Sequence, residues 1–85
     1  MANGAIDVAW SFAILDDTDD ACRVEITDED GADFPVARQV TRAQAERLVQ
    51  RIADEARDSA RPIKAVIRDP YFMAATVIMI KRLAG

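Results

Sequence analysis

The chain has 85 residues, of which 51% are hydrophobic and 31% are charged, and its net charge is −4. This length and composition predict one soluble domain, residues 1–85, that buries ~60–70% of its unfolded surface. Histidine is absent and Cys22 is the single cysteine, which excludes an internal disulfide and a cysteine–histidine metal cluster. We therefore predict no catalytic residue, no metal site and no cofactor, and a protein that is not an enzyme.

The first two predicted elements are strands. Residues 5–15 alternate between apolar and small or polar side chains, and the alternation puts five large apolar side chains on one face: Ile6, Val8, Trp10, Phe12 and Ile14. Period two with β-branched and aromatic residues is typical of a half-buried strand. Residues 16–20 are short and polar and predict a solvated turn. Residues 21–27 then predict a second strand whose inner face carries Cys22, Val24 and Ile26. Cys22 is in register with that face, so we interpret it as a small buried hydrophobe.

A second acidic turn leads to a third strand. Asp30-Gly31 is a favoured hairpin dipeptide because both positions tolerate positive φ. Residues 33–40 predict the strand, and Pro35 places it at a sheet edge because proline donates no ladder hydrogen bond.

The most clearly marked element is a helix that begins after Thr41. Thr41 and Gln44 have the spacing of a capping box, and Pro62 ends the helix near residue 60. Its apolar side chains recur at the three- and four-residue spacing of one stripe: Ala45, Leu48, Val49, Ile52, Ala56 and Ala60.

The last quarter of the chain allows two interpretations. Residues 62–68 alternate like a strand, with Ile63, Ala65 and Ile67 on one face. Asp69-Pro70 and Gly85 could cap a helix over 70–84, but that helix would be apolar on every side. We favour a turn at 70–75 and a strand at 76–83, because residues 76–78 and 80 are β-branched. The predicted fold is α+β: a small antiparallel sheet (β-β-β-α-β-β) with one amphipathic helix packed on one face.

Charge is sorted along the chain. Residues 1–35 hold ten acidic side chains and one basic one, a local net of −9, whereas residues 36–85 have a net of +5. The candidate acidic binding residues occupy the two turns: Asp16, Asp17, Asp19, Asp20, Asp28, Glu29, Asp30 and Asp33. Consecutive turns of a meander lie at opposite ends of a sheet, so we expect two acidic patches rather than one. The 28–33 spacing partly matches a calcium loop but lacks its glutamate, and we interpret it as a hairpin turn.

Large apolar side chains near the C-terminus form a second candidate surface: Tyr71, Phe72, Met73 and Met79. Exposed aromatic and methionine side chains mark contact sites in proteins. A 76–83 strand that is apolar on both faces is typical of a central strand or of one at a dimer interface, so a homodimer is an open alternative.

The first function hypothesis is a non-enzymatic protein-binding module or inhibitor. Its acidic hairpin would steer it to a basic protein partner, and the apolar residues would supply buried area. The alternative is an acidic nucleic-acid mimic that inhibits a nucleic-acid-handling complex, as phage and mobile-element inhibitors of restriction or CRISPR complexes do; this comparison rests on size and charge alone. A third hypothesis is a small nucleic-acid-binding regulator that uses the arginine-bearing helix, which interleaved acidic residues and the acidic chain disfavour.

The longest apolar stretch, residues 71–80, is about half of what a membrane-spanning helix needs. The N-terminus also has no basic region followed by an apolar stretch. We therefore expect a cytoplasmic protein with no membrane partner.

Overall fold

The computed structural model describes residues 10–27 and 31–82. It contains three strands, β1 (Ser11–Asp16), β2 (Cys22–Thr27) and β3 (Asp33–Val40), followed by three helices, α1 (Arg42–Ser59), α2 (Ile63–Ile67) and α3 (Pro70–Lys81). The α+β class and the small antiparallel sheet are confirmed. The number of strands is not, because both C-terminal strands of the sequence prediction are helices.

The sheet is an antiparallel meander in the order β1-β2-β3. Strand β3 is therefore an edge strand, as Pro35 predicts. Its register against β2 shifts twice, so β3 contains two more residues than the stretch of β2 that it faces. Gln39 lies beside the first shift and has a φ of 56°, and Gly31 in the preceding turn has a φ of 82°. The bulges give the edge strand an irregular hydrogen-bonding pattern, a feature that limits edge-to-edge pairing.

The first strand is only partly described. Trp10, just before β1, and Phe12 and Ile14 of β1 pack against the core, as the alternation predicts, whereas Ile6 and Val8 lie outside the described residues. Asp16 was predicted to belong to the turn, but it is the last residue of β1 and pairs with Cys22 of β2. The register of the β1–β2 ladder continues unchanged from Leu15–Arg23 to Asp16–Cys22, which makes the ladder one pair longer than the sequence predicts.

The core lies between the sheet and α1. Cys22, Val24 and Ile26 of β2 are buried, and so are Ala45, Leu48, Ile52 and Ala56 of α1. Helix α1 contacts all three strands. The apolar stripe is confirmed except at Ala60, which is exposed and ends the helix in the left-handed conformation with a φ of 56°.

Both strand predictions after residue 60 are wrong. Ile63 and Val66 are buried on one side of α2. They are three residues apart, which puts them on one face of a helix, whereas in a strand they would lie on opposite faces. In α3, Asp69 caps the first turn through its side chain and Pro70 occupies the first helical position. The segment is a helix despite its β-branched composition. Thr76 and Ile80, four residues apart, lie on one helical face, and both are buried against the rest of the core.

The helix predicted as apolar on all sides therefore exists, and one side of it stays exposed. None of the helices in the described part of the chain is long and apolar enough to cross a membrane.

The N-terminus of α1 generates the first prediction. The Thr41 hydroxyl accepts a hydrogen bond from the Gln44 N–H at 3.1 Å, and the Gln44 side chain accepts one from the Thr41 N–H at 2.8 Å. Thr41→Ala should lower the free energy of unfolding by about 0.5–2 kcal/mol, measured by urea denaturation. Thr18→Ala, in an exposed turn, is the control. Equal stability of the two variants would show that the capping box does not stabilise the fold.

Candidate functional site

The acidic turn between β1 and β2 is closed by its own backbone. The N–H groups of Asp17 and Thr18 both donate to the carbonyl of Ala21, at 2.9 and 3.1 Å. This geometry leaves Asp16, Asp17, Asp19 and Asp20 exposed at one end of the sheet. The turn is therefore water-exposed, as the sequence predicts.

Two of these four carboxylates are paired with arginines of the same molecule. Asp16 Oδ1 lies 3.0 Å from an Nη of Arg42 at the start of α1. Asp17 bonds to Arg23, which also lies 3.2 Å from Glu25. The hydrogen bond and the charge of Asp17 raise the pKa of Arg23. Asp19 and Asp20 have no ion pair with any described residue, so they carry the unpaired charge of this turn.

The second group of candidate acidic residues, 28–30 and Asp33, follows β2 in the sequence. Of its members, Asp28, Glu29 and Asp30 lie outside the described residues. Asp33 accepts a hydrogen bond from the Thr27 hydroxyl at 2.7 Å. Asp33 pairs with Thr27 and Asp16 pairs with Cys22, so these two described carboxylates lie at opposite ends of β2. Within residues 10–27 and 31–82, no group of three potential ligand side chains is placed to hold a metal ion.

Cys22 is buried, as predicted, and its thiol lies 3.4 Å from Asp16 Oδ1. Burial raises the pKa of this thiol, and the hydrogen bond to Asp16 and its charge raise it further. A protonated, buried thiol suits the interpretation as a small hydrophobic residue.

The candidate apolar residues separate into an outer and an inner pair. Tyr71 is 88% exposed and Met79 45% exposed, so both lie on the surface. Phe72 and Met73 are half-buried and pack against the core. The Phe72 ring lies under the guanidinium of Arg51, 5.6 Å from the ring centroid, and Met73 lines a small cavity beside β3 and α2.

The residue that the sequence reasoning missed is Ile78, which is 53% exposed. Five residues of α3 at three- and four-residue spacing share one helical face and are exposed. We call them the α3 outer face: Tyr71, Ala74, Ala75, Ile78 and Met79. Residues seven apart, such as 71 and 78, share a helical face, so the helical alternative over 70–84 would have found Ile78.

Polar contacts at both ends of α3 hold this face in place. Asp69 accepts hydrogen bonds from the N–H groups of Tyr71 and Phe72 at 3.0 and 3.1 Å. Arg61 bridges Asp69 and Glu55 of α1, at 3.2 and 2.9 Å. At the other end, the Gln44 amide lies 3.5 Å from the carbonyl oxygen of Lys81. Helix α3 is thus fixed antiparallel to α1, with its C-terminus near the acidic turn, where Asp17 and Lys81 line the same cavity.

Comparisons with family models, with curated proteins and with solved structures find no match to this chain.

The Asp69 contacts predict a dependence of stability on pH. The hydrogen bond from the Phe72 N–H, and then the bond from Arg61, hold the pKa of the Asp69 carboxyl below its ordinary value. The ionised carboxyl therefore stabilises the folded state above the unfolded pKa of about 4, and this contribution is lost as pH falls through the lower folded pKa. Asp69→Asn keeps a capping side chain but removes the charge.

We expect Asp69→Asn to be less stable than the parent at neutral pH and to lose less stability on acidification from about pH 5 to about pH 2. Urea denaturation at several pH values measures both effects. Asp19→Asn, at an exposed carboxylate that makes no ion pair with a described residue, is the control. A pH profile of Asp69→Asn that superimposes on that of the parent would contradict the assignment.

Proposed function

We propose that this protein is a non-enzymatic binding module that docks another protein on the α3 outer face. The observation that carries the proposal is the exposure of Tyr71, Ile78 and Met79 on a helix with no charged residue between Asp69 and Lys81. A helix that is apolar on all sides is usually buried on all sides, and here no element among residues 10–27 and 31–82 covers one side of it. Tyrosine and methionine are enriched in protein interfaces, and tyrosine is frequent among the residues that dominate binding energy.

The rigidity of the face supports the same proposal. Asp69 and Arg61 fix the start of α3, and Thr76 and Ile80 anchor its inner side in the core. A preformed surface loses little conformational entropy when a partner binds.

The sequence also predicts a basic partner. Ion pairs at the acidic turn reduce the number of its carboxylates that are free to attract such a partner. Arg42 and Arg23 partly neutralise Asp16 and Asp17, so Asp19 and Asp20 would contribute most of the steering. The same ion pairs weaken the case for a nucleic-acid mimic, which needs a row of free carboxylates along one face. We therefore prefer the binding module to the mimic.

The α3 outer face generates the central prediction. Tyr71→Ala/Ile78→Ala should keep the fold, because both side chains are mostly exposed, and should weaken binding of the partner by more than about tenfold. Affinity capture from the native host, followed by identification of the retained proteins, measures this. Glu46→Ala/Arg38→Ala is a matched control, since it also replaces two exposed side chains with alanine, keeps the net charge, and lies on α1 and β3 rather than on α3. A partner that is retained equally by both double variants would contradict the proposal.

A second prediction concerns Asp19 and Asp20. Asp19→Asn/Asp20→Asn should slow association with the captured partner severalfold at low salt and have little effect at high salt, because steering by exposed charges is screened. Stopped-flow or surface-based association rates measure the effect, with Asp58→Asn on α1 as the control. A rate that is unchanged, or that increases, would show that the partner is not basic at this turn.

A further inference from the structure

Exposed arginines border the apolar face of α3. Arg47 and Arg51 of α1 line a shallow groove between α1 and α3, and Met79 and Ile80 form its apolar side. Both arginines are exposed, and neither makes an ion pair with a described residue. Lys81 and Arg82, also exposed and without an ion pair among the described residues, follow the C-terminal end of the face. The groove therefore combines an apolar side with unpaired positive charge.

The carboxylate that lines the same groove, Asp54, offsets only part of this charge, because the hydrogen bonds from Gln50 and Arg57 lower its pKa more than the charge of Arg51 does. Asp54 accepts hydrogen bonds from Gln50 and from Arg57, at 2.9 and 2.8 Å. Arg51 lies over the Phe72 ring, with its guanidinium carbon 5.6 Å from the ring centroid, and this cation–π contact keeps the guanidinium beside the groove. Oriented guanidinium groups bind carboxylates in a bidentate geometry and are more weakly hydrated than ammonium groups.

We propose that the groove between α1 and α3 binds an acidic amphipathic helix of another protein. The proposal rests on the proposed function, since it names the chemistry of the partner at the α3 outer face. Apolar side chains of the ligand helix at three- and four-residue spacing would pack along Ala75, Ile78 and Met79, in the helix-in-groove mode. Its flanking carboxylates would meet Arg47 and Arg51.

Symmetry argues against a second copy of this chain as the occupant. In a dimer whose two α3 helices are antiparallel, the two-fold axis puts the α1 helices of both copies on the same side of the interface. Arg47 and Arg51 of the two copies would then face each other. A two-fold axis that makes the helices parallel brings the two ends with Lys81 and Arg82 together. Both isologous arrangements juxtapose like charges, which an acidic partner avoids.

An anionic membrane surface fits the face less well. The acidic turn lies next to the C-terminal end of α3, where Asp17 and Lys81 line one cavity. A planar anionic surface laid over that end would repel the exposed Asp19 and Asp20, whereas a single helix needs contact only with the groove. The partner would present an acidic helix to the groove and a basic patch to the turn.

The test uses the full chain and two synthetic peptides of about 16 residues with fluorescent labels. The first has leucines at three- and four-residue spacing and glutamates on either side of that stripe. The second has the same leucines with lysines in place of the glutamates. Fluorescence anisotropy should show the glutamate peptide binding at least tenfold more tightly than the lysine peptide at low salt. Equal binding of the two peptides, or binding of neither, would overturn the proposal.

Variants locate the site. Arg47→Gln/Arg51→Gln should weaken binding of the glutamate peptide at least tenfold, and Arg47→Lys/Arg51→Lys should weaken it less because the charge remains. Arg38→Gln/Arg68→Gln removes the same charge outside the groove and should change binding less than threefold. Circular dichroism confirms that each variant is folded. Equal losses in the two glutamine variants would show a non-specific charge effect and overturn the assignment to the groove.

Two further measurements separate failure of this inference from failure of the proposed function. Sedimentation that shows a parent dimer converted to monomer by Ile78→Glu would keep α3 as a protein-binding face and overturn the acidic-helix ligand. Binding to phosphatidylserine vesicles that depends on Arg47 and Arg51, without binding of the glutamate peptide, would overturn it in favour of a lipid surface. Partner capture that is insensitive to Tyr71→Ala/Ile78→Ala would contradict the proposed function itself.

Discussion

The burial of the α1 stripe against β2 is the interaction on which the rest of this structure depends. Val24 and Ile26 of β2 are fully buried, and so are Leu48 and Ile52 of α1. Each such side chain contributes roughly 1.5–3 kcal/mol by leaving water, and the apolar face of the sheet gains this stabilisation because α1 covers it. Helices α2 and α3 pack against α1 of this pair of layers.

The position of α3 leaves it only half-buried. Helix α1 contacts all three strands of the sheet, whereas α3 mainly contacts α1 and α2. Its inner side provides Thr76 and Ile80 to the core, and its outer side has no described element over it. The core therefore buries only part of the apolar surface of α3. The apolar surface that stays exposed is the argument for a partner.

The charge distribution follows the same architecture. The meander places Asp16 and Asp33 at opposite ends of β2, and the arginines of α1 divide into two groups. Arg42 and Arg57 pair with carboxylates of the same molecule, whereas Arg47 and Arg51 face the groove beside α3 without an ion pair in the described part of the chain. The surface is thus divided into regions that attract opposite charges, although the chain as a whole is acidic.

The sequence by itself determined the α+β class, the order of the three strands and the edge position of β3. It also determined the capping box and apolar stripe of α1 and the burial of Cys22. These features are local: alternation, a proline and a cap each act within a few residues. Residues 62–82 were decided by tertiary structure, because Ile63, Val66 and the β-branched residues of α3 suit a strand and a helix equally well until packing against α1 selects one. The exposure of Ile78 and the pairing of Asp16 with Arg42, 26 residues away, likewise depend on how distant elements meet. No periodicity within one segment contains that information, since it arises only when the helices pack on the sheet.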